Sequence, residues 1–563
     1  MPKKHNPDPN QLSLFDLSLY NKLSTDKPSP LDSVSELSDN SENNKILELN
    51  SVPELLNISN GADYTELSSS SGSANKSADT EASPKERPKL FVPSRFDALE
   101  RRAKHELKDI IVPVDDALAR VKDTYSDIIA AGKGAFWVLR GSSGSGKSTF
   151  LHTLNLFLHE VEILSIQADE SVPETLKFFK KSNLEDNSSL KKLRIIVIEN
   201  REALTDFSVD QLEKDLHSIN SFIRSHSGER SLIVWPCNAD DLEQRLISLA
   251  ERIGADSLLG IGEPSYRFKG PPKSQYLDIA TRTIKTLNDK ASLVDLGISE
   301  ERAITLIQQA DTIGKYLGLL RQELLNNEKN VEKLFEQEKC RMWTVVIAGN
   351  NPKEEVTALT HGGYSNADIS CLMVSTKANI VQDLKKYSDK VGILGTVLDA
   401  QIVYLPIATA RAIVIKYADP DLQEKMKQAG MFIRHDSKAL ERLMSSQLAK
   451  AFKTEPKGFE RNNIPNLSSK LPFEKLLEIS QKNDELLNRA IGEALKACGL
   501  ASAYKTEVEL RGIINIRSDL LCKTDSGLVR LEIMWTKWAR RADIANYVLK
   551  KLQSYGKAIG LLE

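Results

Sequence analysis

The sequence predicts an α/β protein: a parallel sheet with a phosphate-binding loop, a helical lid, a mixed α/β middle region and a C-terminal αβββα domain. A disordered tail is expected ahead of them. Three observations carry this reading. Residues 141–149, Gly-Ser-Ser-Gly-Ser-Gly-Lys-Ser-Thr, complete the pattern G-x-x-x-x-G-K-S directly after an apolar run at 135–139. Short apolar runs at 162–167, 193–198 and 231–235 alternate with helical stretches, as buried βαβ units require. Near the C-terminus a Thr-Asp-Ser-Gly turn at 524–527 separates two apolar runs, which is a hairpin signal.

The bulk properties set outer bounds. A chain of 563 residues has room for roughly three or four domains. It is 40% hydrophobic and 27% charged, a globular composition, and its net charge of -2 excludes a basic signature for the whole chain. Nucleic-acid binding must then come from local patches. The 5 cysteines are scattered without C-x-x-C spacing, so they read as small buried hydrophobes in a reducing compartment. No apolar run approaches the roughly 18 residues of a membrane span, and no signal region follows the first residues. The expected location is cytoplasmic.

The elements follow in order. Residues 1–90 are rich in Ser, Asn, Asp and Pro and cannot bury enough apolar surface to offset their ordering entropy. Order is expected from Phe91. Residues 91–270 read as the phosphate-loop core, with a last, less clear strand at 265–269. Residues 271–339 read as an all-helical lid, and 340–461 as a mixed region with a strand at 344–348 and helices around 378–429. A linker at 462–470 leads into a final domain, 470–563, of helix, three strands and helix.

The phosphate loop carries the clearest chemistry. Gly141, Ser142, Ser143, Gly144, Ser145 and Gly146 let successive backbone N–H groups turn inward around phosphates. Lys147 reaches the β- and γ-phosphates, Ser148 ligates Mg²⁺, and Thr149 opens a helix whose N-terminus faces the anion. ATP with Mg²⁺ is the expected cofactor. The strand at 193–198 runs into Glu199, where an acid positions Mg²⁺ and water, and the strand at 231–235 leads to Asn238, where an amide orients water.

This spacing over residues 95–335 resembles the AAA+ ATPases. The resemblance implies Glu199 as the Walker-B acid, Asn238 as sensor 1, Arg252 as an arginine finger, Lys315 or Arg321 as the sensor-2 cation, and a homo-oligomer. The family ends its Walker-B strand with two acids, whereas Glu199 is followed by Asn200, an amide that takes no proton. Glu202 is available to compensate. ATP binding is therefore a firmer expectation than fast hydrolysis.

The C-terminal order of elements resembles the PD-(D/E)xK, or restriction-endonuclease-like, core. The resemblance implies that Asp519 and Glu532 hold Mg²⁺ at a scissile phosphate, with Glu493 as a third acid. The family's lysine position is filled by Met534, leaving Lys537 or Lys505 to supply a cation, or a domain that binds without cutting. The basic residues Lys537, Arg540, Arg541, Lys550, Lys551 and Lys557 suit a phosphate backbone.

In the tail, Gln11-Leu-Ser-Leu-Phe15 matches the pentapeptide by which bacterial partners dock on the β sliding clamp. Together these features imply an ATP-binding protein acting on DNA without membrane association. By analogy of domain combination, its setting would be genome defence or a mobile element. The rival readings are an ATP-switched scaffold and a DNA-remodelling ATPase with a degenerate nuclease-like module.

Overall fold

The computed structural model describes residues 89–159, 161–182, 193–203, 208–259, 263, 265–335, 339–432, 436–456, 467–510 and 516–563. The expected tail up to residue 88, the pentapeptide at 11–15 and linker residues 462–466 lie outside the described residues.

The first sheet has five strands, all parallel, in the order β2-β3-β4-β1-β5. They are β1 (Ala135–Arg140), β2 (Val161–Ile166), β3 (Leu193–Ile198), β4 (Ser231–Cys237) and β5 (Ser265–Arg267). Both faces of the central strands are covered, which is why their sequences are continuous apolar runs. Phe136, Val138, Ile196, Ile198, Ile233 and Trp235 fill one layer. Trp137, Leu139, Ile195, Val197, Leu232 and Val234 fill the other. This alternation is the two-residue period of the strand. It puts the C-terminal ends of β1, β4 and β3 side by side, with β4 in the middle.

Three helices form the lid: Tyr276–Leu287, Glu300–Gln308 and Ile313–Leu334. The second sheet is mixed and has seven strands in the order β10-β11-β12-β6-β9-β8-β7. Its strands are β6 (Cys340–Ala348), β7 (Thr360–His361), β8 (Asn366–Ala367), β9 (Gln401–Tyr404), β10 (Ala503–Glu509), β11 (Arg517–Thr524) and β12 (Gly527–Thr536).

The division expected between 340–461 and 470–563 does not separate two sheets. β6 lies parallel to β12 from Leu528↔Cys340 to Thr536↔Ala348. The middle region and the C-terminal hairpin thus build one sheet.

The lid joins the same body. Tyr276, Ile284, Tyr316 and Leu320 of the lid share one apolar core with Met342 and Val346 of β6 and with Ile544, Val548 and Leu552 of the C-terminal helix, Arg541–Ala558. Burying one such aliphatic side chain stabilises by about 1.5–3 kcal/mol. Gly392 lies so close to the Val294 carbonyl that no Cβ fits between them. Among the described residues, no helix is long and apolar enough to cross a membrane.

Candidate functional site: a phosphate loop and a buried acid–lysine cluster

The loop leaves β1 after Arg140 and enters the helix Lys147–His152. Gly144 and Gly146 have φ of 80° and 98°, a region that L side chains rarely enter, so both positions favour glycine. Ser142 and Ser143 face solvent, whereas Ser145 and Lys147 are buried. The Lys147 ammonium donates to the carbonyls of Gly141 at 2.9 Å and Ser142 at 3.3 Å, and to Asn238 Oδ1 at 2.6 Å. Burial lowers its pKa, and the nearby Glu202 carboxylate opposes that effect.

Asn238, at the end of β4, is fixed from both sides. Its backbone N–H donates to the Glu202 carbonyl at 3.0 Å, and its side-chain amide donates to the Glu202 carboxylate. The result is a bonded chain from Lys147 through Asn238 to Glu202. Glu202 is itself held because Trp235 Nε1 donates 2.8 Å to the Arg201 carbonyl.

Glu199 points elsewhere. Its carboxylate meets His152 Nε2 at 2.7 Å and accepts from Ser165 Oγ at 3.4 Å. The His152 ring stacks on Phe96 at 5.4 Å. The hydrogen bond to Glu199 raises the His152 pKa. The chain turns immediately after Glu199, at Asn200 with φ of 55°, a left-handed turn that asparagine tolerates. So the structure brings Asn238 to Lys147, but the acid it brings is Glu202 rather than Glu199. No local pattern around Glu199 and Glu202 favours the later of the two acids.

The lid touches the loop directly. Gly314 N donates to the Gly144 carbonyl at 2.9 Å. Thr312 caps the helix Ile313–Leu334 by accepting from Lys315 N at 3.2 Å. A Cβ on Gly314 would sit 2.9 Å from Gly144 Cα, with backbone on both sides. Lys315 and Arg321 are exposed, and Arg252 is exposed and pairs with Glu213 at 3.7 Å.

The loop fits a nucleotide phosphate on its own chemistry. Ser145 Oγ is buried without a hydrogen-bond partner, and Lys147 spends its protons on carbonyls that phosphate oxygens would outcompete. Ser148, half-buried at the start of the helix, and Glu202 offer hard oxygen donors suited to Mg²⁺.

The second cluster lies between the C-terminal hairpin and the helix Arg541–Ala558. The β11–β12 ladder runs as far as the pair Leu520↔Leu531. Beyond it the Asp519 carboxylate accepts from the Ile533 backbone N–H at 2.5 Å. Glu532 is fully buried. One of its oxygens accepts from the Tyr555 hydroxyl at 3.1 Å, and the other forms an ion pair with Lys551 from the helix. Tyr555 continues to Ser518 at 3.0 Å, and Ser518 to the buried Arg530 at 2.8 Å.

Burial and then the neighbouring Glu532 push the Asp519 carboxyl up to about 7. Burial also raises Glu532, against the pull of Lys551. Burial works against the charge on Lys551, but Glu532 and Asp519 outweigh it and raise its pKa. A third acid, Glu507, lies opposite Asp519 between the pairs Thr506↔Leu520 and Val508↔Ser518, with φ of 51°.

The cation here is one the sequence did not single out for this place. Met534 packs against the apolar core, Lys537 pairs with Glu474 at 2.8 Å, and Lys505 is exposed. Glu493 lies against the Tyr504 hydroxyl. Lys551 could have been found from its spacing. Ile544, Val548 and Tyr555 form the buried stripe of the helix, and Lys551 falls on the same stripe.

Once Asp519 has lost its proton, above about pH 7, two carboxylates face one lysine and leave a negative charge in a buried place, which a divalent cation with two carboxylate ligands would offset. Among the described residues no group of three or more His, Cys, Asp or Glu side chains is arranged to hold a metal. The remaining ligands would have to come from water and substrate.

No family model and no curated protein matches the chain. Among the solved structures that align with parts of it are two DNA complexes. One is the Aeropyrum pernix ORC1 protein in complex with DNA, with TM-score 0.27 and 14% identity over 52% of this chain and 81% of that one. Another is Drosophila ORC bound to DNA, with TM-score 0.27 and 11% identity over 70% of this chain and 96% of that one. At these scores neither bears on the fold or function of this chain.

Proposed function

We propose that this chain is an AAA+-like ATP-binding protein that acts on DNA through a metal-dependent phosphodiester site in its C-terminal body. The observation that carries the reading is the chain Lys147–Asn238–Glu202 inside a complete phosphate loop, with the lid helix seated on that loop. Lys147 would exchange its carbonyl partners for the β- and γ-phosphates. Ser148 and Glu202 would hold Mg²⁺, and Asn238 would orient water. Glu202 replaces the acid function that Asn200 lacks.

In the second cluster Asp519 and Glu532 would hold the divalent ion. That ion supplies charge neutralisation and a more acidic water. Lys551 stays protonated beside them and offsets the charge that builds on the attacked phosphate. DNA is the polymer that the neighbouring basic residues suit, and residues 11–15 would recruit the protein to a sliding clamp.

One observation favours a second reading. The Glu532 carboxylate is fully buried and already met by Lys551 and Tyr555, as in a domain that binds without cutting.

The test uses the purified full chain with Mg²⁺ or Mn²⁺ and linear, circular or single-stranded DNA, with and without ATP. Wild type is expected to bind ATP and to cut. Lys147→Ala should abolish nucleotide binding, and Lys551→Ala should reduce cleavage at least about 100-fold, the scale of losing one electrostatic stabiliser. Unchanged ATP affinity in Lys147→Ala refutes the nucleotide site. Absence of cleavage by wild type in every condition leaves the ATP-switched binder.

A further inference from the structure

We infer that Trp538 is a stacking platform for an unpaired nucleobase, set at the end of the strand that carries Glu532. The inference rests on the DNA reading above and names the form of DNA that the C-terminal body grips.

Trp538 is 61% exposed, the highest exposure of any tryptophan among the described residues. Trp137, Trp235 and Trp343 are buried, and Trp535 stacks on Phe473 at 6.4 Å. An indole left in water forgoes the burial that aromatic side chains normally find. A mobile loop could leave one exposed by accident, but this loop is held at several points. Asn350 grips the Ala539 backbone with both ends of its amide, accepting from Ala539 N at 3.0 Å and donating to Ala539 O at 2.9 Å. Gly349 packs so that a Cβ there would meet the Lys537 carbonyl at 2.8 Å. Thr536 Oγ1 donates to the Trp538 carbonyl at 3.2 Å. The protein orders this turn and still presents the ring outward, which is how a binding element is preorganised.

The surroundings of the ring specify its partner. Lys537, Arg540 and Arg541 flank it and are all exposed. Lys537 and Arg541 form exposed pairs with Glu474 and Glu355, and such pairs exchange readily for phosphate oxygens. A protein hot spot is ringed by neighbours that exclude water. Here the ring of neighbours is charged and wet. One aromatic face among basic side chains is instead the arrangement that grips single strands, where a base stacks and the backbone meets cations. In a duplex the bases are already stacked on each other and offer no face. Trp538 lies six residues beyond Glu532, at most about 20 Å along the chain, so both can engage one strand.

The experiment measures binding by fluorescence anisotropy in EDTA without ATP, which separates it from cleavage. The probes are a short labelled single strand and the matching blunt duplex. Wild type is expected to prefer the single strand. Trp538→Ala should weaken single-strand binding at least about fivefold and duplex binding less than about twofold, while Trp538→Phe keeps most of the affinity. Binding the single strand should also quench tryptophan emission in wild type but not in Trp538→Phe. Equal single-strand affinity of wild type and Trp538→Ala overturns this inference and leaves the DNA reading standing. Failure of wild type to bind either probe overturns this inference, and the DNA reading then stands or falls on the cleavage assay with metal and ATP. If Trp538→Ala instead breaks up a self-assembled species with DNA affinity unchanged, the surface is a protein contact and the inference falls.

Discussion

Asp519 shows what the second cluster costs the fold. Its carboxyl titrates at about 7 in the folded protein, against an ordinary value of 3.8. Between roughly pH 4 and 7 the folded protein holds a proton that the unfolded chain has released. Stability from this group therefore falls as pH rises through that window, and the loss is complete above the folded value. Asp519→Asn, which keeps an acceptor for the Ile533 N–H, is expected to raise the melting temperature by about 5 °C at pH 8 and by little at pH 4. Mg²⁺ at pH 8 should stabilise wild type and not the variant. Scanning fluorimetry reads both, and equal melting of the two proteins at pH 8 would remove the case for a strained acid pair. The hairpin that carries Asp519 and Glu532 was legible because turn chemistry and strand alternation are local, whereas the two acids themselves are picked out only by the resemblance to the restriction-endonuclease-like core. Lys551 reads with Lys550 and Lys557 as a phosphate-backbone contact, although its place on the Ile544, Val548 and Tyr555 stripe sets it apart from those two.

At the scale of elements, the contact between the phosphate loop and the lid helix is the joint to test. Two glycine backbones meet there, with Gly314 N on the Gly144 carbonyl at 2.9 Å. Gly314→Ala places a methyl against backbone that cannot swing aside, and such overpacking costs about 1–3 kcal/mol. If nucleotide binding uses the seated lid, ATP affinity should fall about tenfold, beyond a drop of a few degrees in the melting temperature of the nucleotide-free protein. Isothermal titration settles it, and full ATP affinity in Gly314→Ala would mean that the lid is only a neighbour. That residues 271–339 are helical was readable from their periodicity, but that periodicity does not single out the Thr312 cap that starts this helix. Its seat on Gly144 was not readable either, since no sequence pattern links residues 170 positions apart.

For the whole molecule, the boundary expected near residues 461–470 was the reading most changed by the structure. Composition shifts there, but β6 and β12 pair across it. Long-range parallel pairing leaves no local mark, because each strand needs only to be apolar. The lid, the middle region and the C-terminal hairpin share one core, so a fragment ending at residue 339 would expose a broad apolar face. That fragment is expected to aggregate or to melt without cooperativity. A soluble fragment with a sharp transition would show instead that the lid stands alone.

The same pairing has a consequence during synthesis. Cys340 meets Leu528, so β6 emerges 528 − 340 = 188 residues ahead of its neighbour. At about 5–20 residues per second, that is a wait of roughly 10 to 40 seconds on the ribosome. Over that interval β6, an almost wholly apolar strand, has no β12 to cover its edge, while the phosphate-loop sheet already has all five of its strands. The nascent chain can thus complete the phosphate-loop sheet well before any acid pair exists, and a translation arrest in this interval would release a chain that lacks the strands carrying Asp519 and Glu532 and, like the fragment ending at residue 339, leaves the shared core uncovered.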